Sequence, residues 1–129
     1  MADQNKKKKK VSRTVEEGRI YIKATFNNTL VTITDVKGNP ILTSSCGMHG
    51  FSGTRKSTPH AATITTDAAV RKAISDYGMQ TAEIFVKGIG PGREASLRAI
   101  KSTQLDIKKI TDITPIPHNG VRPPKIRRV

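Results

Sequence analysis

The chain has 129 residues, enough for one domain, and carries 23 Lys and Arg against 10 Asp and Glu, a formal net charge of +13 at pH 7. A monomer this small and this positive repels itself and associates with polyanions. Hydrophobic residues make up 35%, enough for a small core, and no apolar run approaches the ~18 residues that span a bilayer. No apolar segment follows the basic start, so no secretory signal is expected, and the single cysteine, Cys46, has neither a disulfide partner nor metal ligands at finger spacing. A reducing cytoplasm is the expected compartment.

Residues 1–15 read as a basic arm. Lys6, Lys7, Lys8, Lys9, Lys10 and Arg13 stand there against one acid, Asp3, and nothing apolar offsets the ordering entropy of such a run. Residues 16–114 read as the folded core, with 13 basic and 9 acidic groups in near balance. Arg19 to Phe26 alternates polar and apolar, the period of a strand, and Asn27-Asn28 suits a tight turn. Thr29 to Asp35 is β-branched and alternates again. Lys37-Gly38-Asn39-Pro40 is a second turn, and Ile41 to Cys46 a third strand, so the first three form an antiparallel meander.

Gly47 to Ser57 holds three glycines in seven residues, which argues against a regular element, and presents Arg55 and Lys56. Thr58-Pro59 reads as an N-cap followed by proline at the first helical position. Ala62, Ala69, Val70, Ala73, Ile74 and Tyr77 recur at helical spacing up to a stop at Gly78. Ala82 to Lys87 contains Ile84-Phe85-Val86, apolar toward both faces, as in a strand covered on two sides. Gly88-Ile89-Gly90-Pro91-Gly92-Arg93 leads into a second helix with Ala95, Leu97 and Ile100 as its apolar stripe. Ile107 to Thr114 is a weaker last strand. The order βββαβαβ predicts an α/β fold: a ribonuclease H-like mixed sheet with right-handed crossovers and helices on both faces. Residues 115–129 form a proline-rich basic tail, with His118, Asn119, Arg122, Lys125, Arg127 and Arg128, in which four prolines deny helix and central strand. Asn119-Gly120 within it is an unhindered pair open to slow deamidation.

Metal-dependent nucleases on this kind of sheet need clustered carboxylates. The first strand has none, and Glu16, Glu17, Asp35, Asp67, Asp76, Glu83, Glu94, Asp106 and Asp112 are scattered, so neither catalytic nor metal-binding residues are expected. A Cys46/His49 nucleophile pair has the right separation but no orienting acid nearby in sequence. The Gly88–Arg93 turn, following a strand and opening a helix, is a place where backbone N–H groups and Arg93 meet a phosphate. It lacks the spacing of a P-loop or of a dinucleotide fold, which leaves a polynucleotide phosphate or an ordinary βα turn. Five aromatics and no tryptophan are few for base stacking on a sheet surface, so phosphate contacts from Lys and Arg should dominate. Arg55, Lys56, Lys87 and Arg93 would then continue the footprint of the two arms at one edge of the sheet. No cofactor is implied. A nucleic-acid chaperone, a nuclease and a binder of anionic membrane surfaces remain as alternatives.

Four segments together carry a resemblance: Phe26-Asn27-Asn28-Thr29, Gly53 to Pro59, Lys87 to Glu94, and Asp112 to Gly120 followed by Arg122-Pro123-Pro124-Lys125. In this order they resemble the small-subunit ribosomal protein eleven family in its bacterial form, from about Gly18 to Val129. The resemblance implies a ribonuclease H-like domain without nuclease activity, on the platform of the small subunit and bound to 16S rRNA. It implies ribosomal proteins seven and eighteen as neighbours, the exit-site path of mRNA nearby, a link to initiation factor three, and no membrane partner. Arg55 and Lys56 fall on the family's basic loop, Arg93 on its glycine-rich turn, and His118 to Arg128 on its RNA-threading tail.

Overall fold

The computed structural model describes residues 14–126. In chain order it has β1 (Glu17–Ala24), β2 (Thr29–Asp35), β3 (Pro40–Ser45), two single-turn 3-10 helices (Cys46–His49 and Gly53–Ser57), α1 (Pro59–Tyr77), β4 (Thr81–Lys87), α2 (Gly92–Lys101) and β5 (Asp106–Asp112). The five strands make one mixed sheet in the order β3-β2-β1-β4-β5. β1 is antiparallel to β2 and parallel to β4, β2 is antiparallel to β3, and β4 is parallel to β5. The βββαβαβ order and the mixed α/β sheet are those the sequence predicts.

Both helices, however, lie on one face of the sheet, and the expectation of helices on both faces is corrected. Along β1, Ile20, Ile22 and Ala24 are fully buried while Tyr21 is half-buried and Lys23 exposed; along β4, Ala82, Ile84 and Val86 are buried while Phe85 is half-buried and Lys87 exposed. The reason is topological. The crossovers β3-α1-β4 and β4-α2-β5 step across the sheet in the same direction, and right-handed connections that step the same way place their helices on the same side. The core is therefore a single layer between sheet and helices, in which Ile20, Ile22, Val31, Ile33, Ile84 and Val86 meet Ala69, Val70 and Ala73 of α1 and Ile100 of α2. Each fully buried Ile there contributes roughly 1.5–3 kcal/mol. The small side chains on α1 let the two helices lie against each other as well as on the sheet.

The ends of α1 follow local chemistry. The Thr58 hydroxyl accepts from the Ala61 N–H, proline stands at the first turn, and Gly78 takes the left-handed conformation (φ 65°) with its N–H donating to the Ile74 carbonyl. Strand ends differ from the sequence pattern by up to two residues, again for local reasons. β1 stops at Ala24 rather than Phe26 because the Thr25 hydroxyl accepts from the N–H groups of Asn27 and Asn28 and donates to the Asn28 carbonyl, closing the turn early. β5 stops at Asp112 rather than Thr114 because the Asp112 carboxylate accepts from the Thr114 N–H. The glycine-rich stretch after β3 is not free of regular structure: its two 3-10 turns are closed by bonds such as Arg55 N–H to the Ser52 carbonyl at 3.1 Å. Register shifts interrupt the β2–β3 ladder at Ile33/Thr34 and the β4–β5 ladder at Ala82/Glu83. At the start of the described chain, Val15 is buried in the core and its N–H donates to the Tyr77 carbonyl.

Candidate nucleic-acid interface

Strands β1, β3, β4 and β5 run in the same direction, so their carboxyl ends share one edge of the sheet. The turn at Phe26-Asn27-Asn28, the Cys46–Ser57 loop, the Gly88–Gly92 turn and the segment beyond Thr114 all leave from that edge. The sequence expectation that the two glycine-bearing loops meet at one edge corresponds to this arrangement.

The turn between β1 and β2 is locked by its own side chains. The Thr25 N–H donates to the Asn28 carbonyl at 2.9 Å and the Asn28 Oδ1 accepts from the Thr29 N–H at 2.8 Å. Phe26 and Asn27 stand at its tip, and Phe26 is 72% exposed. Beside them lies a hollow of about 420 Å³ whose other wall is Gly53, Thr54, Lys56 and Ser57. That wall is itself fixed, since the Ser57 hydroxyl donates to the Thr54 carbonyl and the Thr58 hydroxyl to the Arg55 carbonyl, each at 2.9 Å. Arg55 is exposed and Lys56 half-buried. Phe26 and Asn27 are functional candidates that a search for charge and phosphate-binding signatures passes over. In the sequence Phe26 reads as the last apolar position of the alternating run, but β1 ends at Ala24 and the ring stands exposed beyond it.

The Gly88–Gly92 turn packs as a tight βα turn, one of the two readings its sequence leaves open. A Cβ at Gly88 would meet the carbonyl oxygen of Ala24, and one at Gly90 the backbone of Thr25. The glycines therefore let the turn press against the β1 end of the hairpin. Arg93 is likewise engaged within the chain. Its Nη1 donates to the Gly88 carbonyl at 2.9 Å and lies 3.5 Å from the Thr114 hydroxyl, and its Nη2 donates to Asp112 at 2.6 Å. Arg93, with help from the hydroxyl and N–H of Thr114, holds the Asp112 carboxyl well below the usual carboxylate range. Together with the Gly88 N–H to Thr114 hydroxyl bond (3.1 Å) and the Ile113 N–H to Val86 carbonyl bond (2.8 Å), this brace fixes where the tail departs.

On the uncovered face, Lys87 and Lys23 are register partners on neighbouring parallel strands, both exposed, at the same carboxyl end. Like charges placed side by side destabilise a sheet, and an anion lying across them relieves the repulsion. Lys23 escapes a sequence reading because strand register is not written in one strand alone. Elsewhere on that face Tyr21 and Phe85 stack with ring centroids 5.0 Å apart and planes 14° from parallel, and the Arg19 guanidinium carbon lies 5.7 Å from the Phe85 centroid. That separation is close to the ~4.8 Å strand spacing, so the rings stand side by side with faces turned to each other.

From 115 to 126 the chain has no helix or strand and every residue is exposed, His118, Asn119, Arg122 and Lys125 included; Asn119 has φ 60°. Lys6, Lys7, Lys8, Lys9, Lys10, Arg13, Arg127 and Arg128 lie outside the described residues. Among the described residues the acids do not converge: Glu17 pairs with Lys108, Asp67 with Arg71, Glu94 with Arg98 and Asp112 with Arg93, and no group of three or more His, Cys, Asp and Glu is placed to hold a metal. The Cys46/His49 pair does not assemble, since Cys46 is fully buried and His49 Nε2 lies 2.8 Å from the Ser44 hydroxyl. No helix of the described residues is long and apolar enough to cross a membrane.

Comparison with known proteins agrees with the resemblance in the motifs. Residues 18–128 match the family described as ribosomal protein S11. The chain is 52% identical over 122 residues to the small ribosomal subunit protein uS11 of Borreliella burgdorferi (strain ZS7), covering 95% of this chain and 93% of that protein. The proteins of the same name from Borreliella afzelii (strain PKo) and Borrelia garinii subsp. bavariensis are similar to the same extent.

Proposed function

The chain belongs to the ribosomal protein S11 family, a protein of the small ribosomal subunit, and from that premise we propose that it is a structural constituent of the subunit's platform, bound to 16S rRNA near the exit-site path of mRNA. Its place is then the ribonucleoprotein of the cytoplasmic translation machinery. Arg55, Lys56, Lys23 and Lys87 contact phosphates at the carboxyl edge of the sheet. His118, Asn119, Arg122 and Lys125 do so along the tail, and Lys6 to Lys10, Arg13, Arg127 and Arg128 extend the contact at the two ends. Arg93 acts from within, as the brace that aims the tail. Ribosomal proteins seven and eighteen are its protein neighbours, with initiation factor three a transient one.

The observation that carries this reading is the convergence of the hairpin tip, the basic 53–57 turn and the tail's point of departure on one edge. A rigid edge of fixed loops with a cationic strand attached suits a place where RNA helices meet, because the loops position phosphates and the tail follows the backbone between them. The scattered and paired acids favour a role without catalysis.

Crosslinking in intact, salt-washed small subunits tests the reading. The expected result is crosslinks to 16S rRNA from both the 53–57 turn and the 115–125 segment. Retention in the subunit with neither segment crosslinked to RNA would overturn the assignment of this edge. Release from the subunit by the salt wash would favour a free nucleic-acid chaperone instead.

A further inference from the structure

We propose that Phe26 and the hollow beside it are a seat for a single unpaired RNA base, which stacks on the ring while Lys56 meets an adjoining phosphate; this rests on the RNA-binding reading above and adds a base contact to it. Phe26 is 72% exposed although the chain has only three phenylalanines and a small core to fill. The ring is not a leftover of a loose loop, because the turn that presents it is closed by the Thr25 and Asn28 side chains and backed by Gly90 against the Thr25 backbone. The backbone that carries the ring is thus fixed before any ligand arrives, which lowers the ordering cost of a contact made there.

The remaining walls are of the kind a base and its phosphate use. Asn27 brings an amide with donors and an acceptor, Thr54 and Ser57 bring hydroxyls, and Lys56 brings the positive charge. The about 420 Å³ available is more than one base fills, so the sugar and phosphate are accommodated too. An apolar protein side chain would find the ring but leave the amide, hydroxyls and lysine against nothing apolar, so the chemistry favours a nucleotide. The Tyr21–Phe85 pair offers no equivalent, since those two rings turn faces toward each other. Phe26 has no such ring partner among the described residues.

The test is competitive reconstitution of small subunits from 16S rRNA and the other small-subunit proteins, with wild-type chain against one variant at a time. Replacing a stacked aromatic by alanine weakens binding by roughly 5- to 150-fold per base, so Phe26→Ala should enter subunits at a disadvantage in that range. Phe26→Trp should compete equally, and Phe26→Leu, which keeps apolar bulk without a π face, should fail nearly as badly as Phe26→Ala. Phe26 replaced by a photoreactive benzoyl-phenylalanine should crosslink to one rRNA nucleotide. If Phe26→Ala and Phe26→Leu both compete within twofold of wild type, or if the photoreactive residue crosslinks to a protein, the base seat is wrong while the RNA-binding reading stands. If the wild-type chain itself is not taken up, the broader reading has failed. The ring is exposed, so Phe26→Ala leaves the fold intact, and thermal unfolding of the free variant checks that directly.

Discussion

Asp112 accepts hydrogen bonds from Arg93 and from both the hydroxyl and the N–H of Thr114, and these hold its carboxyl ionised. Because the folded-state pKa lies below the unfolded value of ~3.9, the brace contributes fully above about pH 4 and is lost as the pH falls through the lower, folded-state value. Hydrogen exchange at Ile113 and Thr114 should therefore be protected to the same degree from pH 8 to pH 5 in the wild type. It should be faster in Asp112→Asn throughout that range, and a wild-type chain whose protection declines between pH 7 and pH 5 would contradict the assignment. Gly90 gives a second expectation at this scale. Gly90→Ala drives a Cβ into the Thr25 backbone, so the loss in urea unfolding should be about 1–3 kcal/mol with an unchanged m value. Both residues also mark the limit of reading chemistry from composition. A glycine-rich turn ending in arginine after a strand fits a phosphate cradle and a packed βα turn equally well. Only the third dimension shows Ala24 and Thr25 already in contact with it.

At the scale of elements, α1 is the part most legible in the sequence, because its boundaries are set by bonds between near neighbours. Thr58, Pro59 and Gly78 each act within four residues of themselves. Thr58→Ala should lower stability by about 1 kcal/mol, seen as a lower thermal midpoint. The faces of the sheet are less legible. Ile84-Phe85-Val86 looks doubly covered, yet Phe85 lies on the uncovered side and owes its shelter to Tyr21 and Arg19 rather than to a helix. Two alanine variants separate these situations. Ile84→Ala empties a fully buried site and should cost about 2–5 kcal/mol. Phe85→Ala removes chiefly a cross-strand ring contact and should cost nearer ~1 kcal/mol. Equal losses would mean that the second face is covered in the free protein after all. The surroundings of Phe26 and Lys23 are not legible in the sequence for a related reason: they depend on which loop or strand lies beside each, and such neighbours are far away in sequence.

For the whole molecule, the division of charge is the governing feature: thirty terminal residues hold nine of the thirteen net positive charges. The core can therefore fold as a nearly balanced domain while the ends supply long-range attraction to a polyanion. Each phosphate contact contributes close to one unit to the dependence of log K on log salt, so neutralising Arg127 and Arg128 together should lower that slope by roughly 1 to 2. Equal slopes for the double variant and the wild type, measured by binding to 16S rRNA over a salt series, would take the last residues out of the interface. Phe26→Ala should leave the slope unchanged while lowering affinity, because stacking displaces no counterion.

The register shifts at the two sides of the sheet bear on the life of the chain before it meets RNA. Unpaired strand margins invite other chains to add themselves, the route to fibrils and swapped dimers. Here β3 opens on Pro40 and is offset by the irregularity at Ile33/Thr34, while β5 carries Lys108 and Lys109 beside the one at Ala82/Glu83. A newly made copy thus offers its siblings a poor template along either margin.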